Sequence, residues 1–247
     1  MENPGQTCRG IVLLWALLLC ALPGGGSMTQ GILFNTEEPP GRRDAPAQAL
    51  SPGAWLLPGL VHDRAGVLLS IISDIVRRAP LRHMATPGGG RMSVGMSGCG
   101  ARVWVSDAAG YRYETHDPRT GRPWPPMPAL LRDLAGECAQ KAGYARFVPD
   151  SGLINRYGPG DRMGLHQDRD ERCDAPIVSI SLGVAAVFLW GGPTRAAPVR
   201  RIVVRHGDVV VWGGASRLTW HGIAPLLLAH HPLCGDVRYN LTFRLTA

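Results

Sequence analysis

The sequence predicts an α+β domain in which helices near the N-terminus precede an antiparallel β-sandwich or jelly roll. From Asp150 onward, short apolar stretches alternate with glycine- and proline-containing turn signals, a spacing typical of that architecture. The 247 residues include 32 glycines and 21 prolines, which favours frequent turns and short elements. The hydrophobic fraction of 45% is enough to bury a core, and it excludes a wholly disordered chain.

Residues 1–50 are interpreted as an extension that precedes a domain spanning residues 51–247. Residues 11–22 are an uninterrupted apolar run, too short for the ~20 residues that span a membrane. The run matches the core of a signal peptide in length, although Glu2 and Arg9 nearly cancel in front of it. We favour a dispensable extension or a start codon miscalled upstream of Met28, over a true leader or a buried segment. The composition of residues 23–54 predicts a flexible linker.

Two helices are predicted on either side of a glycine-rich middle segment. Asp63 is the candidate N-cap of the first, where apolar residues recur at helical spacing as far as Val76. Residues 128–142 predict the second helix. Between them, residues 86–124 indicate hairpins and mobile loops. Residues 77–122 carry eight arginines against three acids, and therefore most of the net charge of +7, which suits a polyanionic partner.

Six strands are predicted in the second half of the chain, each bounded by turn signals. They cover residues 153–157, 177–182, 185–190, 201–204, 208–212 and 239–245. The six cysteines are scattered without a C-x-x-C pair and match no zinc-site spacing, so reduced thiols in the cytoplasm are expected.

A possible metal site begins with His166 and Asp168, which project to the same side of an extended chain. A second histidine from a distant strand would complete a two-histidine, one-carboxylate face, the arrangement that leaves coordination positions open on Fe(II). His221 lies 55 positions after His166, across about four predicted strands, and it is the predicted third ligand.

A second pair, His206 and Asp208, has the same spacing and is interpreted as structural. Its Gly-Asp sequence predicts a turn into the next strand, and too few residues separate it from His221 or from His230-His231 to build the intervening strands. The sequence His230-His231-Pro232 predicts a solvated turn.

The last predicted strand carries Arg238, Asn240 and Arg244 at even spacing, so they share one face. Two arginines inside a small barrel would be costly without anions, and a dicarboxylate would satisfy them through two-pronged hydrogen bonds. The alternative is a solvated edge strand with one apolar face.

Several motifs, in this order, together resemble the bacterial AlkB family of Fe(II)- and 2-oxoglutarate-dependent dioxygenases, which repair alkylated nucleic acids. They are Asn155-Arg-Tyr157, His166-Gln-Asp-Arg-Asp-Glu171, His206-Gly-Asp-Val-Val-Val-Trp-Gly-Gly214, His221-Gly-Ile223 and Arg238-Tyr-Asn-Leu-Thr-Phe-Arg244. The resemblance extends from about Trp55 to the C-terminus and implies a double-stranded β-helix, a jelly roll with flanking N-terminal helices.

The resemblance also implies roles for individual residues. His166, Asp168 and His221 would bind Fe(II), and a second group would hold 2-oxoglutarate: Asn155, Tyr157, Arg238, Asn240 and Arg244. Residues 86–124 would form a nucleotide-recognition lid. Gly90 stands there at a position where members of the family have an aromatic residue. The implied substrate-binding residues are Met96, Trp104, Tyr111, Arg112, Tyr113, Asp170 and Arg195. Trp104 would stack on the flipped base opposite His166.

The expected function is therefore oxidative demethylation of bases such as 1-methyladenine and 3-methylcytosine. It would use Fe(II), 2-oxoglutarate and O2 and release formaldehyde. The expected partner is alkylated DNA, single- or double-stranded, or RNA, bound by a monomer with no stable protein partner and no membrane. Two alternatives stay open: the same chemistry on tRNA or protein, and a jelly roll with a non-catalytic metal.

Overall fold

The computed structural model of the chain describes residues 45–171 and 173–246. The apolar run at residues 11–22, Met28 and most of the expected linker lie outside these residues. The division into an extension and a domain stays a prediction, but the expectation of a flexible linker as far as residue 54 is wrong at its end. Gln48–Ser51 is a strand paired with Ala54–Leu57, and Leu50 is buried in the core. Within the described part of the chain, no helix is long and apolar enough to cross a membrane.

The structure describes fourteen strands, all paired antiparallel. They are β1 (Gln48–Ser51), β2 (Ala54–Leu57), β3 (Arg82–Ala85), β4 (Arg91–Gly100), β5 (Val103–Asp107), β6 (Gly110–Glu114), β7 (Ser151–Tyr157), β8 (Met163–His166), β9 (Ile177–Gly183), β10 (Ala186–Trp190), β11 (Arg200–Val204), β12 (Val209–Trp212), β13 (His221–Ile223) and β14 (Arg238–Arg244). Eight form one sheet in the order β1-β2-β12-β9-β14-β7-β4-β3, and four form a second in the order β11-β10-β13-β8. The two antiparallel sheets confirm the predicted jelly roll.

Helices α1 (Ala65–Arg78) and α2 (Ala129–Lys141) pack on the larger sheet through a buried apolar cluster. In this cluster, Leu68 and Leu131 of the helices are grouped with Ile180 and Leu241 of the sheet. The prediction that Asp63 caps α1 is wrong. Asp63 lies in a short 3-10 turn that precedes the helix, and Arg64 occupies the N-cap position without a side-chain capping bond.

Strand β14 lies between β7 and β9 in the larger sheet, and both of its faces are covered. Its odd-numbered residues Leu241 and Phe243 join the cluster under the helices. Its even-numbered polar residues Arg238, Asn240 and Arg244 are nevertheless buried, each at most 7% exposed. This alternation places three polar groups inside the barrel, as the even spacing predicted.

The glycine-rich segment 86–124 contributes to two different sheets. Strand β4 joins the larger sheet, whereas β5 and β6 pair as a separate hairpin, which we call the lid hairpin (residues 103–114). Gly98 of β4 allows this close packing. A Cβ atom there would lie 2.5 Å from the Val103 side chain and 2.8 Å from the Gly152 carbonyl oxygen. Glycine is therefore required where the hairpin leaves the sheet.

Candidate active site

A cavity of about 370 Å³ opens in the barrel, next to the lid hairpin. Most of the predicted site residues line it, although they come from distant parts of the sequence. They are Met96, Trp104, Tyr111, Asn155, Tyr157, His166, Asp168, Asp170, Arg195, His221, Arg238, Asn240 and Arg244. Arg112 and Tyr113 do not line it and make the contacts described below.

The three predicted metal ligands converge at the wall of this cavity. His166 ends β8, His221 begins β13, and the two are direct cross-strand partners. Their Nε2 atoms lie 3.6 Å and 3.9 Å from the two carboxylate oxygens of Asp168. One ligand atom from each residue lies within 4.8 Å of the others, so a single ion could contact all three. As predicted, four strands, β9 to β12, separate the two histidines in sequence.

Both histidines are oriented for metal binding by hydrogen bonds to the backbone. Nδ1 of His166 lies 2.9 Å from the carbonyl oxygen of Gly164, and Nδ1 of His221 lies 2.9 Å from that of Thr219. A carbonyl only accepts, so each Nδ1 carries a proton, and in the neutral ring the lone pair is then on Nε2, toward Asp168. Burial, with His166 nearby, lowers the pKa of His221 to about 4, so this side chain is neutral at neutral pH.

The carboxylate of Asp168 is held ionised. Burial alone would raise its pKa, but the charge of Arg244 and the hydrogen bond from its guanidinium outweigh burial, and the pKa lies well below its ordinary value. Arg244 donates from Nε and Nη2 to Oδ2 of Asp168, at 3.1 Å and 2.7 Å. The arrangement therefore places two imidazole nitrogens and one anionic oxygen together, a donor set that suits Fe(II).

A second group of possible ligands, His206, His231 and Cys234, has its ligand atoms equally close together. Here the backbone donates instead. The N–H of Gly183 points at Nδ1 of His206 at 2.9 Å, and the N–H of Leu233 points at Nδ1 of His231 at 3.2 Å. Neutral rings that accept at Nδ1 carry their proton on Nε2, and a protonated nitrogen cannot bind a metal.

The chemistry of the same three residues agrees with a structural role. Burial lowers the pKa of His206 to about 4 and raises that of Cys234 to about 11, so the first is neutral and the second is a thiol at neutral pH. These properties agree with the prediction that His206 is structural, which stays a prediction. The prediction that His231 is solvated is wrong, because its ring stacks on His206 at 4.1 Å and is only 9% exposed.

At the inner end of the cavity, Arg238 is a buried cation with incomplete pairing. Its residue is 2% exposed, and its guanidinium lies 4.9 Å from the ring centre of Tyr157 and donates one hydrogen bond to Ser181 at 3.1 Å. Its Nε and Nη1 have no hydrogen-bond partner within the described residues. Burial lowers the pKa of Arg238, but an arginine remains charged. This group therefore fits a carboxylate entering the cavity.

Asn155 and Asn240 are neighbours on β7 and β14. Asn155 donates to Oδ1 of Asn240 at 3.2 Å, and Asn240 donates in turn to Ser179 and to the Ile180 carbonyl. The Oδ1 atom of Asn155 is buried and lacks a partner in the described part of the chain. The buried wall between Arg238 and the metal ligands is therefore polar, with a further atom available to a ligand.

The outer part of the cavity is lined by aromatic residues of the lid hairpin. Trp104 donates from Nε1 to Oδ2 of Asp170 at 2.7 Å and stacks on Tyr111, with ring centres 5.5 Å apart. Met96 is buried at the cavity wall, and Arg195 places its guanidinium over Trp220 at 5.2 Å. Flat rings at the mouth of a cavity are suited to stacking on a base.

The two remaining predicted substrate-binding residues, Arg112 and Tyr113, form hydrogen bonds with other residues of the protein. Arg112 donates to Asp107 and Glu114 on its own hairpin. The Tyr113 hydroxyl donates to Glu171, a buried carboxylate that also lines the cavity. Their predicted contacts with substrate stay predictions.

Sequence reasoning gave no role to Glu171, Arg217 or Trp220. Glu171 stands within the quoted motif, three residues after Asp168, and that position was the available signal. Arg217 has no comparable signal. It follows a turn, and only its contacts in the folded chain show that it is a buried partner of Glu171.

Comparisons with known proteins extend these observations. Residues 53–244 match the profile of the 2OG-Fe(II) oxygenase superfamily. The chain is 50% identical over 206 residues to the alpha-ketoglutarate-dependent dioxygenase AlkB of Salmonella typhimurium, covering 83% of this chain and 95% of that protein. It is 32% identical over 129 residues to the nucleic acid dioxygenase ALKBH1 of Mus musculus, covering 51% of this chain and 32% of that protein.

A similar fold occurs among solved structures. The structure of OsALKBH1 matches with a TM-score of 0.70 at 28% identity, covering 81% of this chain and all of that one.

Proposed function

Because the chain belongs to the AlkB family within the 2OG-Fe(II) oxygenase superfamily, we propose that His166, Asp168 and His221 hold its iron. The protein is an Fe(II)- and 2-oxoglutarate-dependent dioxygenase that dealkylates nucleic acid bases oxidatively. The observation that supports the site assignment is the contrast between the two histidine clusters. Only in this one, among the described residues, do backbone carbonyls leave the Nε2 lone pairs available.

We propose that 2-oxoglutarate occupies the space between these ligands and Arg238. The orphaned Nε and Nη1 of Arg238 would pair with the distal carboxylate, and a guanidinium matches a carboxylate in a two-pronged contact. Asn155, Asn240 and Tyr157 would line the same path, and Arg244 would stand at the metal-bound end, where it already contacts Asp168.

When bound, iron with 2-oxoglutarate and O2 would supply the oxidation, in which a base methyl group is hydroxylated and lost as formaldehyde while the oxoacid yields succinate and CO2. The protein residues bind and orient the reactants. Asp168 stays anionic and His221 neutral across the ordinary pH range, so the donor set does not depend on a proton transfer. The apolar residues of the cavity wall, such as Met96 and Phe188, exclude water from the reacting group.

We propose that the flipped base lies between Trp104 and His166, both of which line the cavity mouth. The Asp170 carboxylate, already an acceptor for Trp104, would accept from the exocyclic amine of adenine or cytosine. Tyr111 and Arg195 would contact the strand. The proposed substrates are 1-methyladenine and 3-methylcytosine in DNA, single- or double-stranded, with RNA as a second class, and the proposed location is the cytoplasm. A base whose pairing is already blocked by damage costs least to extrude.

The substrate assignment is tested with a methylated substrate pair. We expect the iron-loaded protein to release formaldehyde from an oligonucleotide that contains 3-methylcytosine, with a matching increase in succinate over the amount formed without oligonucleotide. A methylated peptide should give none. Formaldehyde from the peptide alone would overturn the nucleic-acid assignment and leave the dioxygenase chemistry in place.

Replacing Trp104 with alanine is expected to weaken turnover of the methylated oligonucleotide by about one to two orders of magnitude, since a stacked base contributes ~1–3 kcal/mol. Decarboxylation of 2-oxoglutarate without oligonucleotide should persist, because Trp104 contacts neither the metal ligands nor Arg238. Trp104→Phe is the matched variant, since it keeps a flat ring and removes the hydrogen bond to Asp170. If both activities fall together in Trp104→Ala, the residue supports the core instead of the base.

A further inference from the structure

The lid hairpin contacts two consecutive acidic residues beside the metal triad. Trp104 donates to Asp170, and the Tyr113 hydroxyl donates to Oε1 of Glu171. Trp104 and Tyr113 are direct cross-strand partners on β5 and β6, so their side chains lie on one face of the hairpin. The hairpin face that covers the base cavity is therefore also the face bonded to Glu171.

Glu171 is a buried carboxylate whose two oxygens have different partners. Its side chain is 2% exposed, and Oε2 accepts from Nη2 of Arg217 at 2.8 Å. Arg217 also donates to the backbone carbonyls of Asp168 and Ala175, at 2.5 Å and 2.9 Å. Arg217 therefore fixes the segment that carries both Asp168 and Glu171, while Oε1 is left facing the hairpin and Arg244.

Arg244 connects Glu171 to the metal ligand. Its Nε lies 3.2 Å from Oε1 of Glu171 and 3.1 Å from Oδ2 of Asp168, and its Nη2 lies 2.7 Å from the same Asp168 oxygen. Two carboxylates and two guanidinium groups thus form a neutral buried set. The Tyr113 hydroxyl is the contribution of the hairpin to this set, and burial raises the Tyr113 pKa so that the hydroxyl remains a donor.

Building on the proposed function, we propose that Glu171 is a positioning residue that couples the lid hairpin to the 2-oxoglutarate site through Arg244. When the Tyr113 hydroxyl donates its hydrogen bond, Oε1 of Glu171 accepts from both that hydroxyl and Arg244, and Arg244 stays directed at Asp168. Without Tyr113, Oε1 has Arg244 as its remaining partner in the set, and Arg244 is drawn from Asp168 toward Glu171.

The coupling follows from this difference between the two arrangements. A base under Trp104 favours the docked hairpin, and 2-oxoglutarate favours the Arg244 position that the docked hairpin stabilises. Each ligand should therefore increase the affinity for the other by the same factor. The linked set runs from the hairpin through Tyr113, Glu171 and Arg244 to Asp168.

The test measures binding and does not depend on turnover. Protein is loaded with Fe(II) under argon, and 2-oxoglutarate is titrated through the visible charge-transfer band of the chelate, with and without an oligonucleotide containing 3-methylcytosine. In the parent, the oligonucleotide should tighten 2-oxoglutarate binding by about fivefold or more. In Tyr113→Phe this factor should fall to about one. Its 2-oxoglutarate affinity without oligonucleotide should be no tighter than the parent's, because Arg244 is then drawn toward Glu171.

Two further variants separate coupling from general loss of structure. Tyr144→Phe removes a comparable phenol bond, to the Gly53 carbonyl at 2.6 Å, away from the hairpin, and it should keep the parent's factor. Glu171→Gln keeps the shape and can still accept from Tyr113, but it removes the charge that balances Arg217 and Arg244. It should lose the coupling and also weaken 2-oxoglutarate binding.

The outcomes are distinguishable. A parent without coupling, or a Tyr113→Phe variant with the parent's coupling, overturns the role of Glu171 and leaves the site assignment standing. Equal loss of coupling in Tyr113→Phe and Tyr144→Phe also overturns it. If the parent shows no charge-transfer band at all, the proposed metal and cosubstrate site is itself wrong, and the coupling that rests on it is overturned with it.

Discussion

Replacing His166 with alanine is expected to abolish both iron binding and turnover. Its Nε2 is one of the two nitrogen donors facing Asp168, and no other described histidine is placed to replace it. With two ligands left, the site loses the facial geometry that non-haem iron requires. Iron retained after anaerobic dialysis and formaldehyde released from a methylated oligonucleotide measure the two effects.

His206→Ala is the matched control for that variant. His206 also belongs to a histidine cluster, but its Nδ1 accepts the Gly183 N–H, and removing it leaves a buried donor without an acceptor. A cost of about 1–3 kcal/mol in unfolding free energy is expected, with iron binding retained. Equal loss of iron in the two variants would show that the wrong cluster was assigned.

Replacing Arg238 with lysine is expected to raise the apparent Michaelis constant for 2-oxoglutarate at least about tenfold. Lysine keeps the charge but loses the planar fork, and disturbing a buried charge pair costs about 2–5 kcal/mol of binding. Iron affinity measured without cosubstrate should stay nearly unchanged, because Arg238 donates to Ser181 and contacts none of the metal ligands.

Arg156→Lys serves as the control, since Arg156 precedes Tyr157 on β7 and is exposed. A monocarboxylate 2-oxoacid, which lacks the distal group, should support little turnover in the parent and should be much less affected by Arg238→Lys. If the 2-oxoglutarate dependence of Arg238→Lys equals that of the parent, the orphaned guanidinium nitrogens do not mark the cosubstrate site.

The sequence alone predicted the strands that show clear apolar patterning. The six expected strands correspond to β7, β9, β10, β11, β12 and β14, with ends within two residues of those observed. Strands β8 and β13 were not predicted. They are four and three residues long, Met163–His166 and His221–Ile223, and each contains a glycine. Such segments are too short to show alternation, although they carry both histidines of the proposed metal site.

Contacts between residues that are distant in the sequence could not be predicted from local patterns. The sequence predicted that His166, Asp168 and His221 lie close together. That prediction used only the alternation of side chains in an extended segment and the number of strands between the histidines, and both can be read from local sequence patterns. The burial of His231 and the pairing of Arg217 with Glu171 depend on which loops meet across the barrel. The tautomers that separate the two histidine clusters depend on the direction of single backbone groups, and no residue pattern encodes that direction.

The incomplete pairing of Arg238 has a consequence for the stability of the whole domain. An arginine that is 2% exposed, with two nitrogens unpaired within the described residues, leaves a buried charge partly uncompensated whenever no carboxylate is bound. A ligand that binds only the folded chain adds about 2.7 kcal/mol to its stability at a hundred times its dissociation constant. Melting temperature should then rise with 2-oxoglutarate concentration, because the bound carboxylate supplies the partner that this buried charge otherwise lacks.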